Sequence, residues 1–188
     1  ARVSQVRLLR HPRRCGQTVA LRNGIQAARA DWIVTLDGDG QNDPADIGAM
    51  LDLLRRDASG KVRLIIGDRR KQRQDTWVRL LSSRIANGVR RRMLHDGTPD
   101  TGCGIKLLHR ATFQQVPGSN HMHGSLPALF QPKRAGVLSV PVRHRPRTRG
   151  VSKYGIHNRL WAGIVDLFAV RWLILRAPPL VKVHEDLA

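Results

Sequence analysis

Two carboxylates one residue apart, Asp37 and Asp39, end an apolar run that begins at Trp32. They lie in the stretch Thr35-Leu36-Asp37-Gly38-Asp39-Gly40-Gln41-Asn42-Asp43-Pro44. In an extended chain residues i and i+2 point to the same side, so both carboxylates can converge on one cation. Gly38 between them lets a ligand approach the backbone. Gln41 adds another hard oxygen, and such a donor set suits Mg²⁺ or Mn²⁺. Carboxylates at the C-terminal end of a strand stand where open α/β sheets bind ligands. The chemistry this suggests is a metal that grips a diphosphate. The same residues also read as a strand-end turn whose Asp side chains cap the next helix. The order strand, D-x-D-x-Q and Pro-started helix favours the metal.

Four further groups carry polar chemistry. Gly67-Asp68-Arg69-Arg70 follows an apolar run, where a guanidinium could fork onto phosphate oxygens. Downstream, Arg79, Ser83 and Asn87 are spaced i, i+4, i+8 and share one helical stripe, which could equally be solvated surface. Asp100-Thr101-Gly102-Cys103-Gly104 sets two glycines around a small residue, allowing close backbone approach, with Asp100 placed to meet sugar hydroxyls; a plain turn is the alternative. Arg147-Thr148-Arg149-Gly150-Val151-Ser152-Lys153-Tyr154 has the make-up of an anion-binding loop or of a basic surface loop.

The elements that must position these residues alternate. Strands are expected at Val6–Leu9, Trp32–Leu36, Val62–Ile66, Gly104–Leu108 and Val137–Val142. Trp32–Leu36 reads as buried on both faces. Helices are expected at Gly16–Ala30, with Val19, Ala20 and Ile25 inward, and from Pro44 to Leu54, with Asp43 as N-cap. Others are expected at Thr76–Leu94, Leu126–Phe130 and Leu160–Leu175, the last stopped by Pro178-Pro179. This alternation predicts an α/β layer fold. The last helix is apolar over most of its circumference and flanked by Arg159, Arg171 and Arg176. It is too short to span a bilayer comfortably, and fits either a core helix or one lying in the membrane interface.

At 188 residues the chain fits one domain with a sizeable core. Its net charge of +19 favours an anionic partner: nucleic acid, a membrane surface or a phosphorylated substrate. Few aromatics and no recognisable binding module argue against nucleic acid. Cys15 and Cys103 match no metal or redox spacing and read as free thiols. The basic N-terminal segment has no apolar core of the signal-peptide kind. Its start without Met, at what looks like the lead-in to a strand, suggests N-terminal truncation.

Taken in order, these motifs resemble the family 2 inverting glycosyltransferases of the GT-A fold, and within them the branch that makes dolichyl- or polyprenyl-phosphate sugars, such as dolichyl-phosphate mannosyltransferase. The resemblance rests on Thr35–Pro44, Gly67–Arg69, Trp77–Asn87, Asp100–Gly104 and Arg147–Tyr154. Gly-x-Ser-Lys-Tyr after a basic turn is its most specific element. It implies a GT-A sheet, mostly parallel and flanked by helices, here missing its first strands. It divides the chain into a catalytic domain over residues 1–158 and a membrane-interface helix and tail over 159–188.

The resemblance also implies a nucleotide-diphospho-sugar donor, Mg²⁺ or Mn²⁺, and a polyprenyl phosphate acceptor. By position Asp37, Asp39 and Gln41 would hold the metal. Arg69, Arg79, Ser83, Arg147 and Lys153 would bind phosphates. Asp39 and Asp100 would stand at the reacting centre. Expected partners are an anionic membrane surface and a separate integral membrane protein, but no nucleic acid, and the expected place is the cytoplasmic face of the membrane, held peripherally. Two departures stand out. The nucleoside-binding P-x-Y-N-E segment and a second acidic strand end are absent, so the chain alone is expected to bind donor weakly or not at all. Gly124 follows His123, where the family pattern leads to Arg. The alternative functions are a family 2 transferase acting on a glycan hydroxyl, and an inactive basic fragment that binds membrane or nucleic acid.

Overall fold

The computed structural model describes residues 6–69, 88–119, 122–131, 135–143, 145 and 156–176, with 156–162 as backbone alone. A four-stranded sheet is built from β1 (Trp32–Thr35), β2 (Val62–Asp68), β3 (Lys106–His109) and β4 (Gly136–Pro141), in the order β1-β3-β2-β4. Helices α1 (Gln17–Ala27), α2 (Asp46–Arg55), α3 (residues 88–94), α4 (Arg110–Gln114), α5 (Leu126–Phe130) and α6 (Ile156–Arg176) accompany it.

β3 pairs antiparallel with both β1 and β2, while β2 and β4 pair parallel. Three strands therefore share one direction, and the reversed β3 lies between two of them. The α/β class holds, but two of the three pairings are antiparallel, so the sheet is mixed rather than mostly parallel in its ladders. The shared direction brings the C-terminal ends of β1, β2 and β4 and the start of β3 to one end of the sheet. Every polar motif of the described chain leaves the sheet there.

β2 is the central strand, with Leu64, Ile65 and Ile66 fully buried, as its near-continuous apolar sequence requires. β1 departs from expectation: all four residues are only half-buried. It is an edge strand, hydrogen-bonded to β3 alone among the described residues. Val6–Leu9 forms no strand. Val6 and Leu8 are 70% and 77% exposed, because the segment has neither a ladder partner nor a face to bury.

α1 starts at Gly16, whose φ of 84° suits glycine. It buries Thr18 and Ile25 rather than the expected Val19, which is 38% exposed. Before α2, Asp43 Oδ1 accepts the Ala45 N–H at 3.1 Å, and the Asp43 carbonyl accepts the Asp46 N–H at 3.1 Å. The helix entry foreseen from Asp43-Pro44 is therefore built as an Asx turn that hands over to the helix two residues later. Asp46 in the first turn and Arg55 in the last complement the helix dipole.

α6 packs on α5 and enters the core through Leu167, Val170, Leu173 and Ile174. Arg171 ties it to α3 by donating to the Met93 carbonyl at 2.5 Å. Val165, Phe168, Trp172 and Leu175, at helical spacing, stay 58–70% exposed on the other side. No helix of the described chain is long and apolar enough to cross a membrane.

One ion pair lies inside the core. Arg90 on α3 reaches Asp96 at 2.7 Å and donates to the Thr98 carbonyl at 2.7 Å. Arg90 Nε and Asp96 Oδ1 are buried and find no hydrogen-bond partner among the described residues. Burial pushes the Asp96 carboxyl above its ordinary value, more than the Arg90 charge pulls it down.

Candidate functional site

Asp37 leaves the end of β1 and its carboxylate lies directly on Gly104, just ahead of β3. A Cβ at residue 104 would stand 2.1 Å from Asp37 Oδ2, so the site needs a glycine there for steric reasons. Thr35 Oγ1 donates to the Gly104 carbonyl at 2.8 Å and fixes the approach of the two chains. The Asp37 N–H donates to Asn42 Oδ1 at 2.9 Å, and the Gln41 N–H to Asp39 Oδ1 at 3.2 Å. These bonds curl residues 37–42 into a loop with Asp37, Asp39 and Gln41 on it, all partly accessible.

At the end of β2, Arg69 meets Asp100. Its Nε donates to Oδ2 at 2.8 Å, its Nη2 to Oδ1 at 3.1 Å, and its main-chain N–H to Oδ2 at 3.3 Å. Burial opposes the charge on Arg69, but this fork outweighs it and holds the guanidinium above its ordinary pKa. Two residues expected separately, one for phosphate and one for sugar, are thus locked to each other. Gly102 lies beside them: a Cβ there would sit 3.4 Å from Arg69 Nη2.

Lys106 was not foreseen. It is 5% exposed, pairs with Thr35 and Ile66 across the ladders, and donates from Nζ to the Cys103 carbonyl. Burial pushes its ammonium down, with Cys103, Asp37 and Asp100 pulling it back. A lysine inside the apolar run Ile105-Lys106-Leu107-Leu108 is the signal that could have flagged it. Burial likewise pushes the Cys103 thiol up, so this free cysteine stays neutral. The structure joins Asp37, Asp39, Gln41, Arg69 and Asp100 at one sheet end. Arg79, Ser83, Arg147 and Lys153 lie outside the described residues, as do Trp77 and Asn87.

Asp43 and Asp46, behind the loop, face Arg143 and Arg145, which follow β4. The Ala45 N–H, then the Arg145 and Arg143 guanidinium groups, hold the Asp43 carboxyl below the ordinary range.

No group of three or more His, Cys, Asp or Glu side chains that could hold a metal occurs among the described residues. The Asp37–Gln41 loop is instead a sparse oxygen set. Mg²⁺ is held in this way by one or two carboxylates completed by substrate phosphates, and the residues present fit that mode.

The family model for glycosyl transferase family 2 matches residues 2–116. The chain is 34% identical over 173 residues to a dodecaprenyl-phosphate galacturonate synthase of Rhizobium johnstonii, covering 90% of this chain and 49% of that protein. It is 28% identical over 144 residues to an undecaprenyl-phosphate 4-deoxy-4-formamido-L-arabinose transferase of Edwardsiella ictaluri, covering 77% of this chain and 43% of the relative. It thus spans about half the length of the curated relatives it matches. Among solved structures, glucosyl-3-phosphoglycerate synthase from Mycobacterium tuberculosis in complex with UDP superposes with a TM-score of 0.56 at 18% identity, covering 89% of this chain and 58% of that one. That enzyme has also been solved with Mn²⁺, UDP-glucose and phosphoglyceric acid. At this identity the likeness shows the fold, which is GT-A. By sequence, the chain belongs to glycosyl transferase family 2.

Proposed function

We propose that this chain is part of a metal-dependent inverting glycosyltransferase that moves a sugar from a nucleotide-diphospho-sugar to a polyprenyl phosphate at a membrane surface. The observation that carries the reading is the convergence of the Asp37–Gln41 loop with the Arg69–Asp100 pair at one sheet end. The named acceptors of the two curated relatives, both polyprenyl phosphates, support the choice of acceptor.

In this reading Asp37, Asp39 and Gln41 hold Mg²⁺ or Mn²⁺, which when bound supplies positive charge for the donor diphosphate. Asp37 is oriented by its seat on Gly104, and Asp39 by the Gln41 N–H. Asp100 is held by the Arg69 fork, with the backbone of Gly102 beside it. Arg69 keeps a further nitrogen, Nη1, for a phosphate oxygen. Arg79, Ser83, Arg147 and Lys153 add phosphate contacts, lowering the repulsion between two anionic substrates. The acceptor phosphate attacks the anomeric carbon from the face opposite the leaving diphosphate and inverts it. A phosphate monoester is already anionic near neutral pH, so no strong general base is required. The exposed stripe Val165, Phe168, Trp172 and Leu175 on α6 supports a peripheral seat on an anionic membrane, on its cytoplasmic face.

The test is transfer by the whole protein that carries this chain. Activity should require Mg²⁺ or Mn²⁺, and Asp39→Ala should lose it by about two or more orders of magnitude while staying folded. Full activity in EDTA, or in that variant, would sink the metal assignment. Transfer to glycan hydroxyls in preference to lipid phosphate would sink the acceptor.

A further inference from the structure

Asp43 and Asp46 are buried carboxylates, 5% and 7% exposed, that the metal reading leaves unused. Both are turned toward the chain leaving β4. The Arg143 N–H donates to Asp46 Oδ2 at 2.7 Å, and the Arg143 guanidinium lies 3.6 Å from both Asp43 and Asp46. Arg145 Nη2 meets Asp43 Oδ2 at 2.7 Å. The main chain of Arg145 grips Gln41 in turn. Its N–H donates to the Gln41 carbonyl at 3.0 Å, and Gln41 Nε2 donates to its carbonyl at 3.4 Å. Arg145 therefore has two ends, a guanidinium on Asp43 and a peptide on Gln41.

An exposed ion pair contributes little, because both partners keep their water and their freedom. Here the acceptors are buried while the Arg143 and Arg145 side chains remain 64% and 56% exposed. A buried carboxylate is costly unless its lone pairs are filled. Each of these two is filled by groups from the β4 exit, about a hundred residues away in sequence, and Asp43 also by its own turn.

We infer that Asp43 and Asp46, acting through Arg143 and Arg145, are positioning residues that fix Gln41 relative to Asp37 and Asp39. The role of Gln41 as a metal donor rests on the proposed function; the clamp itself rests on geometry alone. Asp43→Asn keeps an oxygen for the Ala45 N–H but removes the charge that holds Arg145. Arg145→Met removes the guanidinium and keeps the main chain, at a side chain exposed enough to spare the fold.

The experiment measures, on the chain itself, Mn²⁺ binding by electron paramagnetic resonance, together with exchange of the Arg145 amide and the Gln41 side-chain amide. Both variants should weaken Mn²⁺ binding about tenfold, the low end for residues that hold metal ligands in place. Both should speed Arg145 amide exchange by about tenfold, more than they speed the amides of β2, which report global unfolding. Arg145→Lys should recover part of each loss. Unchanged exchange in the variants overturns the clamp. Faster exchange with unchanged Mn²⁺ affinity overturns the positioning role. A parent chain that binds no Mn²⁺ overturns the metal reading instead, and the two amides then decide the clamp: unchanged protection in the variants overturns it.

Discussion

Two Arg–Asp pairs of the same chemistry serve different ends in this chain. Arg69–Asp100 lies at the open end of the sheet and is a full fork, with both carboxylate oxygens filled and a third bond from the main chain. Arg90–Asp96 lies in the core, joined by one short bond, and leaves Arg90 Nε and Asp96 Oδ1 buried without partners among the described residues. The first pair satisfies its charges and lies at the sheet end that carries the Asp37–Gln41 loop. The second satisfies them only in part and lies away from that loop, between α3 and the Thr98 carbonyl. The difference shows that a buried ion pair is neither functional nor structural by composition; the completeness of its hydrogen bonds and what it faces decide.

The comparison can be broken in the core first. Asp96→Ala leaves Arg90 charged and buried, and should cost about 3–5 kcal/mol in denaturant unfolding. A loss under about 1 kcal/mol would mean that water already reaches the pair. Arg69→Met should cost less, about 1–3 kcal/mol, because Asp100 keeps the Arg69 main-chain N–H. It should also lower transfer by the whole protein far more than Asp96→Asn does.

Replacing both core partners, Arg90→Met with Asp96→Leu, should return stability to within about 1 kcal/mol of the parent, since an apolar pair of similar volume often matches a buried ion pair. No such double substitution at Arg69 and Asp100 should restore activity.

The smallest effect is in pH. Asp96 has a folded pKa raised above the ordinary 3.8, so its contribution is full below 3.8 and is lost as pH rises through the folded value. Asp57 is the opposite case. The Ser59 hydroxyl and the Val62 N–H hold its carboxyl low, so its contribution is present above 3.8 and lost as pH falls through the folded value. Asp96→Asn should therefore steepen the acid-side loss of stability, and Asp57→Asn should flatten it. The reverse result would invalidate the reading of the core pair.

Much of the fold was legible because it is local. Asp43-Pro44 announced a helix entry, and the apolar runs at Val62 and Trp32 announced strands. The inner face of α1 was read only in part: Ile25 is buried as expected, but Thr18, a polar residue, is buried where Val19 is not. Val6–Leu9 failed as a strand because a strand is defined by its neighbour, which sequence does not display. The insertion of β3 between β1 and β2 is likewise a tertiary fact, and with it the approach of Gly104 to Asp37. At the end of the sheet, motif spacing singled out Asp37, Asp39, Gln41, Arg69 and Asp100, which the structure places near one another. It could not show that Arg69 and Asp100 bind each other, nor that Lys106, Arg143 and Arg145 reach the same end from distant elements.

Among the described residues, the strand that delivers both carboxylates is held along one side only, by the four register pairs from Trp32–His109 to Thr35–Lys106. If β1 peeled away, Asp37 would leave Gly104 and the loop would lose its base at once. If a cation binds at the loop as proposed, its ligation and the closure of that edge are coupled equilibria, and by linkage each strengthens the other. A cation with its diphosphate would act on this chain as a fastener for the sheet, and any further strand joined to the outer edge of β1 would act as an activator of the site.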